Sequence, residues 1–345
     1  MHVIGSKWVF KTKLKADGTL ERLKARFVAK GYNQVKGVDF SETFSPVIKP
    51  AIVRIVLSIA KVKGWDIRQL NVKNAFLHGK LQKPVYMAQP PGFSDPKNPN
   101  YICHLKRALY GLKQAPRAWF NRFSEFLLTF GFFCNIADPS LFVCHNAQGT
   151  IVLFLYVDDI ILTGDNSHFL NEFIPQLSLE FAMKDMGPLH YFLGVEVQND
   201  THGLFLCQTR YAQKVLERAE MGDCKPIRTP MAPKVKTPEN NQPFHDITLF
   251  RSIVRALQYL TFTRLDITYS VNYICQFMHQ PSVYHFQLVK RVLRYIKGTL
   301  DYGIRICSQS NLDLYGFSDA NWASCPSTRR STTGFCTFLD SNCIS

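Results

Sequence analysis

The chain has 345 residues, 46% hydrophobic and 19% charged, a mixture that excludes a disordered chain and allows a substantial core. Its 41 Lys and Arg stand against 26 Asp and Glu, a formal net charge of +15 spread along the chain, which points to a polyanionic partner. Ten widely spaced cysteines without a CxxC pair exclude a zinc ribbon and imply reduced thiols in an intracellular protein; no apolar run approaches the roughly 18 residues of a membrane span, and Lys7, Lys11 and Lys13 interrupt any signal-peptide core.

Residues 7–13 and 23–30 alternate on either side of Asp17-Gly18, which predicts a basic β-hairpin. Residues 51–63 set Ile52, Ile55, Val56 and Ile59 at helical spacing before Gly64 stops the segment, and a strand follows over 65–72. A Pro-rich loop covers 89–99. Over 117–130, Trp119, Phe120, Phe123, Phe126, Leu127 and Phe130 recur on a helical period, so this helix packs on a core and ends at Gly131. Two apolar strands, 151–157 and 160–163, meet at Asp158-Asp159. Downstream the pattern predicts a helix over 168–183, paired strands over 191–197 and 204–208, and a helix over 210–220. The stretch 228–246, rich in Pro, Lys and Asn, reads as a linker. Helices with basic outer faces follow at 250–262, 266–278 and 284–297, then strands at 312–317 and 334–339.

The chemical centre is Tyr156-Val157-Asp158-Asp159. Two adjacent carboxylates between apolar strands are costly unless a cation pairs with them. Mg²⁺ answers that cost, because it prefers a few carboxylate oxygens plus substrate phosphates to a full protein cage. By itself the dipeptide reads more simply as a solvated acidic turn, but its neighbours change that reading. Residues 65–79 contain Gln69-Leu70-Asn71-Val72 and Asn74-Ala75-Phe76; residues 109–120 contain Leu109-Tyr110-Gly111-Leu112-Lys113-Gln114-Ala115-Pro116-Arg117; Tyr191-Phe192-Leu193-Gly194-Val195 comes later. In this order, and with Lys7-Trp8-Val9-Phe10-Lys11 and Lys24-Ala25-Arg26-Phe27-Val28-Ala29-Lys30-Gly31 before them, they resemble the polymerase motifs of copia-type LTR retrotransposon reverse transcriptases over nearly the whole chain.

The resemblance implies an α+β right-hand polymerase, with fingers, an antiparallel-sheet palm, a thumb and a helical connection. It assigns 1–227 to fingers and palm with the primer-grip region, 228–246 to a linker, 247–305 to the helical thumb and connection, and 306–345 to a truncated ribonuclease H-like start. The implied reaction is two-metal nucleotidyl transfer with two Mg²⁺ or Mn²⁺ ions, an RNA template, a DNA primer and deoxynucleoside triphosphates, with no membrane partner. Asp158, Asp159 and Asn71 stand at the metal positions. Phe76 matches the aromatic gate against a ribose 2′-hydroxyl, or else is a core Phe. Lys24 and Arg26 are triphosphate ligands or solvated strand charges. Tyr110, Gly111 and Lys113 match the nucleotide-supporting loop. Phe192, Leu193 and Gly194 match the primer grip, or else form a plain buried hairpin. Cytoplasmic particles are the implied location; oligomeric state is not legible.

Asn71 departs from the family, which has Asp there. A neutral amide replaces an anionic ligand of nearly the same shape, so the fold should tolerate it while the polymerase is impaired by at least about 10²–10³ in rate. Asp66, five residues away, falls on the opposite strand face. Arg264-Leu265-Asp266-Ile267 replaces an Arg-Pro-Asp-Ile run, and Arg255 stands at a usually small helix-packing position, where it is expected to snorkel or distort the contact. Asp319, in Leu314-Tyr315-Gly316-Phe317-Ser318-Asp319, matches the first metal ligand of a ribonuclease H domain whose other acids do not follow. The chain therefore reads as one fragment of a larger polyprotein. The competing readings are a non-catalytic retrotransposon relic that only binds nucleic acid, and an unrelated basic nucleic-acid-binding scaffold.

Overall fold

The computed structural model describes residues 2–15, 17–232, 242–323 and 329–345. The chain forms a mixed α/β structure that divides into two compact units, Met1–Lys49 with Trp65–Pro188, and Pro50–Gly64 with Leu189–Ser345. Of the predicted linker at 228–246, residues 233–241 lie outside the described residues.

In the first unit, β2 (Ser6–Leu14) and β3 (Leu20–Ala29) form an antiparallel two-stranded ribbon. The short β1 (Val3–Ile4) runs parallel to β5 (Lys80–Ala88), which pairs on its other side with β6 (Ile102–Arg107). The main sheet is antiparallel throughout, in the order β11 (Met183–Pro188), β4 (Asp66–Val72), β10 (Asp159–Gly164), β9 (Gly149–Tyr156), β8 (Leu141–Asn146), β7 (Phe133–Cys134). Alternation puts Leu70, Val72, Leu153, Leu155, Ile160 and Leu162 on one face of it. That face shares a core with Trp119 and Phe123 of α2 (Ala115–Thr129) and Phe169 and Phe173 of α3 (Ser167–Glu180). The Asn166 side chain caps α3 by accepting from the backbone N–H groups of His168 and Phe169. Where a helix was expected to run to 183, it stops at Glu180 and the chain enters β11.

In the second unit, α1 (Pro50–Val62) ends as predicted near Gly64, whose φ of +68° closes the helix in a conformation favourable to glycine. A four-stranded antiparallel sheet has the order β12 (Tyr191–Phe192), β13 (Val195–Asp200), β14 (Gly203–Cys207), β15 (Gly303–Cys307). The helices α4 (Thr209–Arg218), α5 (Ile247–Leu260), α6 (Thr268–Cys275) and α7 (Val283–Lys297) share a second core built on Val215, Phe250, Ile253, Leu257, Val271, Val289 and Leu293. A separate sheet, β16 (Leu314–Asn321), β17 (Thr332–Leu339) and β18 (Asn342–Cys343), completes the unit. No helix among the described residues is long and apolar enough to cross a membrane.

One sequence expectation changes here. Arg255 does not occupy a packing position: it lies on the exposed face of α5, between the buried Val254 and Ala256, so it neither snorkels through nor distorts a helix contact. Arg264 is 3% exposed and donates from Nε to Asp266 Oδ1 at 2.9 Å and from Nη2 to Oδ2 at 2.7 Å, with further bonds to the Thr299 carbonyl and hydroxyl. Leu265 opens a short 3₁₀ turn beside this network, a position where the proline the resemblance leads one to expect would only preset φ.

Candidate functional site

The strand register decides which side chains meet. In the antiparallel pairing of β4 with β10, Asn71 stands directly opposite Asp159. Both belong to the sheet face opposite the Leu70, Ile160 and Leu155 face that packs on α2 and α3. The Asn71 amide donates to Asp159 Oδ1 at 3.0 Å, and the backbone N–H of Val72 donates to the Asp158 carbonyl at 2.7 Å. Position 71 and the acidic turn are therefore one site. Asp66 pairs with Gly164 at the far end of β4 and accepts from the Ser167 hydroxyl, so it has no part in it.

The turn itself is strained. Tyr156 pairs with Asp159, leaving Val157 and Asp158 as the two connecting residues, and Val157 has φ +57°. A β-branched residue in that region costs on the order of 1–3 kcal/mol and persists only where the surroundings hold it. Trp119 supplies the hold: its Nε1 donates to the Val157 carbonyl at 2.6 Å from a ring that is 1% exposed. The sequence offered Trp119 only as a core position of a helix. Nothing in its periodicity tells that its ring N–H reaches the turn.

Asp158 is exposed and Asp159 half-buried. Burial pushes the Asp159 carboxyl up, the Asn71 hydrogen bond opposes it, and the Asp158 charge adds to the rise, leaving it above the ordinary carboxylate value. Among the described residues no three His, Cys, Asp or Glu groups cluster at metal-binding distance. Two adjacent carboxylates suit one Mg²⁺ that completes its shell with water or phosphate oxygens. A second ion bridged from β4 would need an anionic oxygen where Asn71 presents an amide, so the donor set does not fit a bridged pair.

The basic ribbon lies within electrostatic reach of this turn. Arg26 lies over the Tyr110 ring, 5.5 Å from its centroid, and Tyr110 meets Phe76 edge-on at 5.0 Å. Arg26, Tyr110 and Phe76 are thus contiguous. Lys24 joins them electrostatically: Arg26 first, then burial and the Arg22 and Lys13 charges, hold its ammonium below the usual value, while Asp158 acts the other way. Gly111 presses on β3, since a Cβ there would lie 2.2 Å from the Ala29 carbonyl oxygen, and its φ is +91°. Lys113 is engaged elsewhere. Its backbone N–H donates to Gln34 Oε1 at 2.8 Å, its ammonium to the Gln34 carbonyl at 3.1 Å, and it lies over the Phe40 ring. Gln34 in turn donates to Gln114 and Gln114 to the Asp39 carbonyl, a buried chain of amides of which only Gln114 stood in a sequence motif.

In the second unit, Leu193 and Gly194 form the turn between β12 and β13, with φ of +51° and +69°, and Phe192 is buried. The Tyr259 hydroxyl of α5 donates to the Leu193 carbonyl. Asp319 is exposed on β16, opposite Gly334.

With this geometry described, the chain can be set beside known proteins. A family model described as reverse transcriptase (RNA-dependent DNA polymerase) matches residues 1–233. The retrovirus-related Pol polyprotein from transposon RE1 of Arabidopsis thaliana is 48% identical over 344 residues, covering 99% of this chain and 24% of that protein. The corresponding polyprotein from transposon TNT 1-94 of Nicotiana tabacum is 37% identical over 342 residues, covering 95% of this chain and 26% of its own. A putative transposon Ty5-1 protein of Saccharomyces cerevisiae is 31% identical over 273 residues, covering 78% of this chain and 89% of that protein. The chain spans about a quarter of the two plant polyproteins.

Proposed function

We propose a function from one premise: the chain belongs to the reverse transcriptase (RNA-dependent DNA polymerase) family, as a region of copia-type retrotransposon Pol polyproteins. On this reading it is the nucleotidyl-transfer region, and its substrates are an RNA template, a DNA primer and deoxynucleoside triphosphates. The β2–β3 ribbon serves as fingers and the six-stranded sheet as palm. The β12–β13 turn is the primer grip, residues 247–305 are thumb and connection, and residues 306–345 open a ribonuclease H-like fold around Asp319. The observation that carries the proposal is the register of β4 against β10, which puts the position-71 side chain 3.0 Å from an Asp159 carboxylate oxygen at a strained turn.

Asp158 and Asp159 would hold a divalent ion. When bound, such an ion supplies charge neutralisation to triphosphate oxygens and lowers the cost of ionising a primer hydroxyl. The protein's own part is positioning. Trp119 fixes the turn, Arg26 and Lys24 present cations to phosphate, and Phe76 backed by Tyr110 forms a wall against the sugar.

Asn71 favours a specific form of this reading, a polymerase impaired because the anion expected on β4 is an amide already bonded to Asp159. Its alternative is a relic that binds primer and template without extending them. Primer extension with Mg²⁺ and Mn²⁺ separates the two. Asn71→Asp is expected to raise extension by at least about 10²-fold; equal rates in both proteins would end the impairment argument. If Asp158→Ala combined with Asp159→Ala leaves extension and binding untouched, the polymerase site lies elsewhere.

A further inference from the structure

In the second unit two thiols face one another where two sheets join. The register pairs Phe338 of β17 with Cys343 of β18, and Cys336, two residues before Phe338, shares its side of the strand. The two sulfurs stand 3.8 Å apart. The fully buried Asn342 side chain accepts from the Cys307 N–H at 2.6 Å and donates to the Cys307 carbonyl at 3.1 Å, which ties β18 to β15 of the neighbouring sheet.

Arg54 gives this pair its chemistry. Its guanidinium is buried on α1, and neither Nε nor Nη1 has a hydrogen-bond partner among the described residues. The groups within electrostatic reach that favour its charge are the Cys343 and Cys336 sulfurs. A buried cation without an anion is costly, and a thiolate formed beside it removes part of that cost. The two thiols are not equivalent: burial first, then the hydrogen bond with Cys336, pushes the Cys343 thiol up, so Cys343 keeps its proton and the first attack falls to Cys336. Both thiols are half-buried. Cys343 also lines a groove of about 300 Å³ with Tyr302, Arg305 and Ser341, which admits a small oxidant.

We propose that Cys336 and Cys343 form an oxidation site, which hydrogen peroxide converts to a reversible disulfide while Arg54 holds the attacking thiolate. The Cys336 thiolate attacks one peroxide oxygen: an S–O bond forms, the O–O bond breaks, and hydroxide leaves to take up the proton that Cys336 released. The Cys343 sulfur then attacks the Cys336 sulfenic acid. An S–S bond forms, the S–O bond breaks, and the second hydroxide leaves as water with the Cys343 proton. Two electrons pass from the thiols to the peroxide, which becomes two waters. Diagonal neighbours on paired strands stand further apart than the Cβ atoms of a relaxed disulfide, so the bond closes against the backbone and a dithiol reductant reopens it.

The test is differential alkylation of the full chain. The reduced protein is treated with equimolar hydrogen peroxide, quenched with N-ethylmaleimide, digested with trypsin and mapped by mass. Both thiols fall in one peptide, residues 331–345, because no Lys or Arg follows Arg330. That peptide is expected to appear unalkylated and two hydrogens lighter, at least about 10-fold faster than alkylation is lost at Cys134 or Cys275, two thiols that burial also pushes up. Dithiothreitol should restore both alkylation sites. Arg54→Leu should slow closure by about 10-fold, and Arg54→Lys, which keeps a cation, should recover most of the rate. In Cys343→Ser, dimedone should label Cys336 as its sulfenic acid. A doubly alkylated 331–345 peptide in protein whose other cysteines have oxidised, or a link from either thiol to another peptide, overturns the site. Equal closure rates in the parent and Arg54→Leu overturn the part given to Arg54.

Discussion

At residue 71 the proposed impairment turns on a one-group difference, because Asn and Asp fill the same strand position equally well and differ in charge. Asn71 was visible in the sequence; its hydrogen bond to Asp159 was not, since that depends on register. Arg54 was wholly illegible. It sits on α1 among apolar positions, 5% exposed, with Nε and Nη1 lacking hydrogen-bond partners among the described residues. Burial holds its guanidinium below the ordinary value, with the Cys343 and Cys336 sulfurs acting the other way. The same burial, with the Cys336 thiol 3.8 Å away, pushes Cys343 up to about 11. An unpaired buried cation is a liability to the fold. Arg54→Leu should therefore raise stability by roughly 1–4 kcal/mol, read as a higher urea midpoint with unchanged slope. A lowered midpoint would show that Arg54 has an energetic role the geometry does not reveal.

Among elements, those with strong apolar periodicity were legible: α1, α2, α5 and α7 fall within a few residues of their predicted ranges, as do β4, β9 and β10. The strands that escaped were β1, β5, β6, β7, β8, β11, β15 and β18. Several are edges or very short, and β5 and β11 contain Pro and register shifts, features that weaken a strand signal even where burial alternates, as along β5 and β15. The Arg264–Asp266 link behaves as an element-level clamp, because Asp266 also accepts from the Tyr295 hydroxyl of α7 at 2.8 Å. Burial alone would raise the Asp266 carboxyl, yet the Arg264 hydrogen bonds and charge, with Tyr295, hold it below its usual value. A depressed carboxyl stabilises the fold above its unfolded value and loses that contribution as pH falls through the folded one. Thermal stability of the helical unit should thus drop below about pH 4. Asp266→Asn should cost roughly 2 kcal/mol at pH 7, less than a fully buried pair because the carboxylate is a third exposed. It should also flatten the acid limb of the melting profile; an unchanged limb would assign it to other carboxylates.

For the whole molecule, the net charge of +15 indicated a polyanionic partner but not where one would lie. The ribbon register shows where part of that charge gathers. Lys11 stands opposite Lys24 and Lys13 opposite Arg22, with Lys7 and Arg26 on the same face, while Trp8, Phe10, Leu23 and Phe27 take the other. Like charges directly opposite each other are destabilising by roughly 0.2–1 kcal/mol per pair. A fold that keeps two such pairs on one exposed ribbon gives up stability that a bound phosphate chain would return. Stability and binding should therefore move in opposite directions when these cations are removed. Replacing Lys11, Lys13, Arg22 and Lys24 together by Thr, a good strand former, should raise the thermal midpoint of the free chain. The same variant should lower the slope of log affinity against log salt for an RNA–DNA hybrid by about 3. Both signs are required: a variant less stable and still tightly bound would mean that the ribbon's charges serve its own fold.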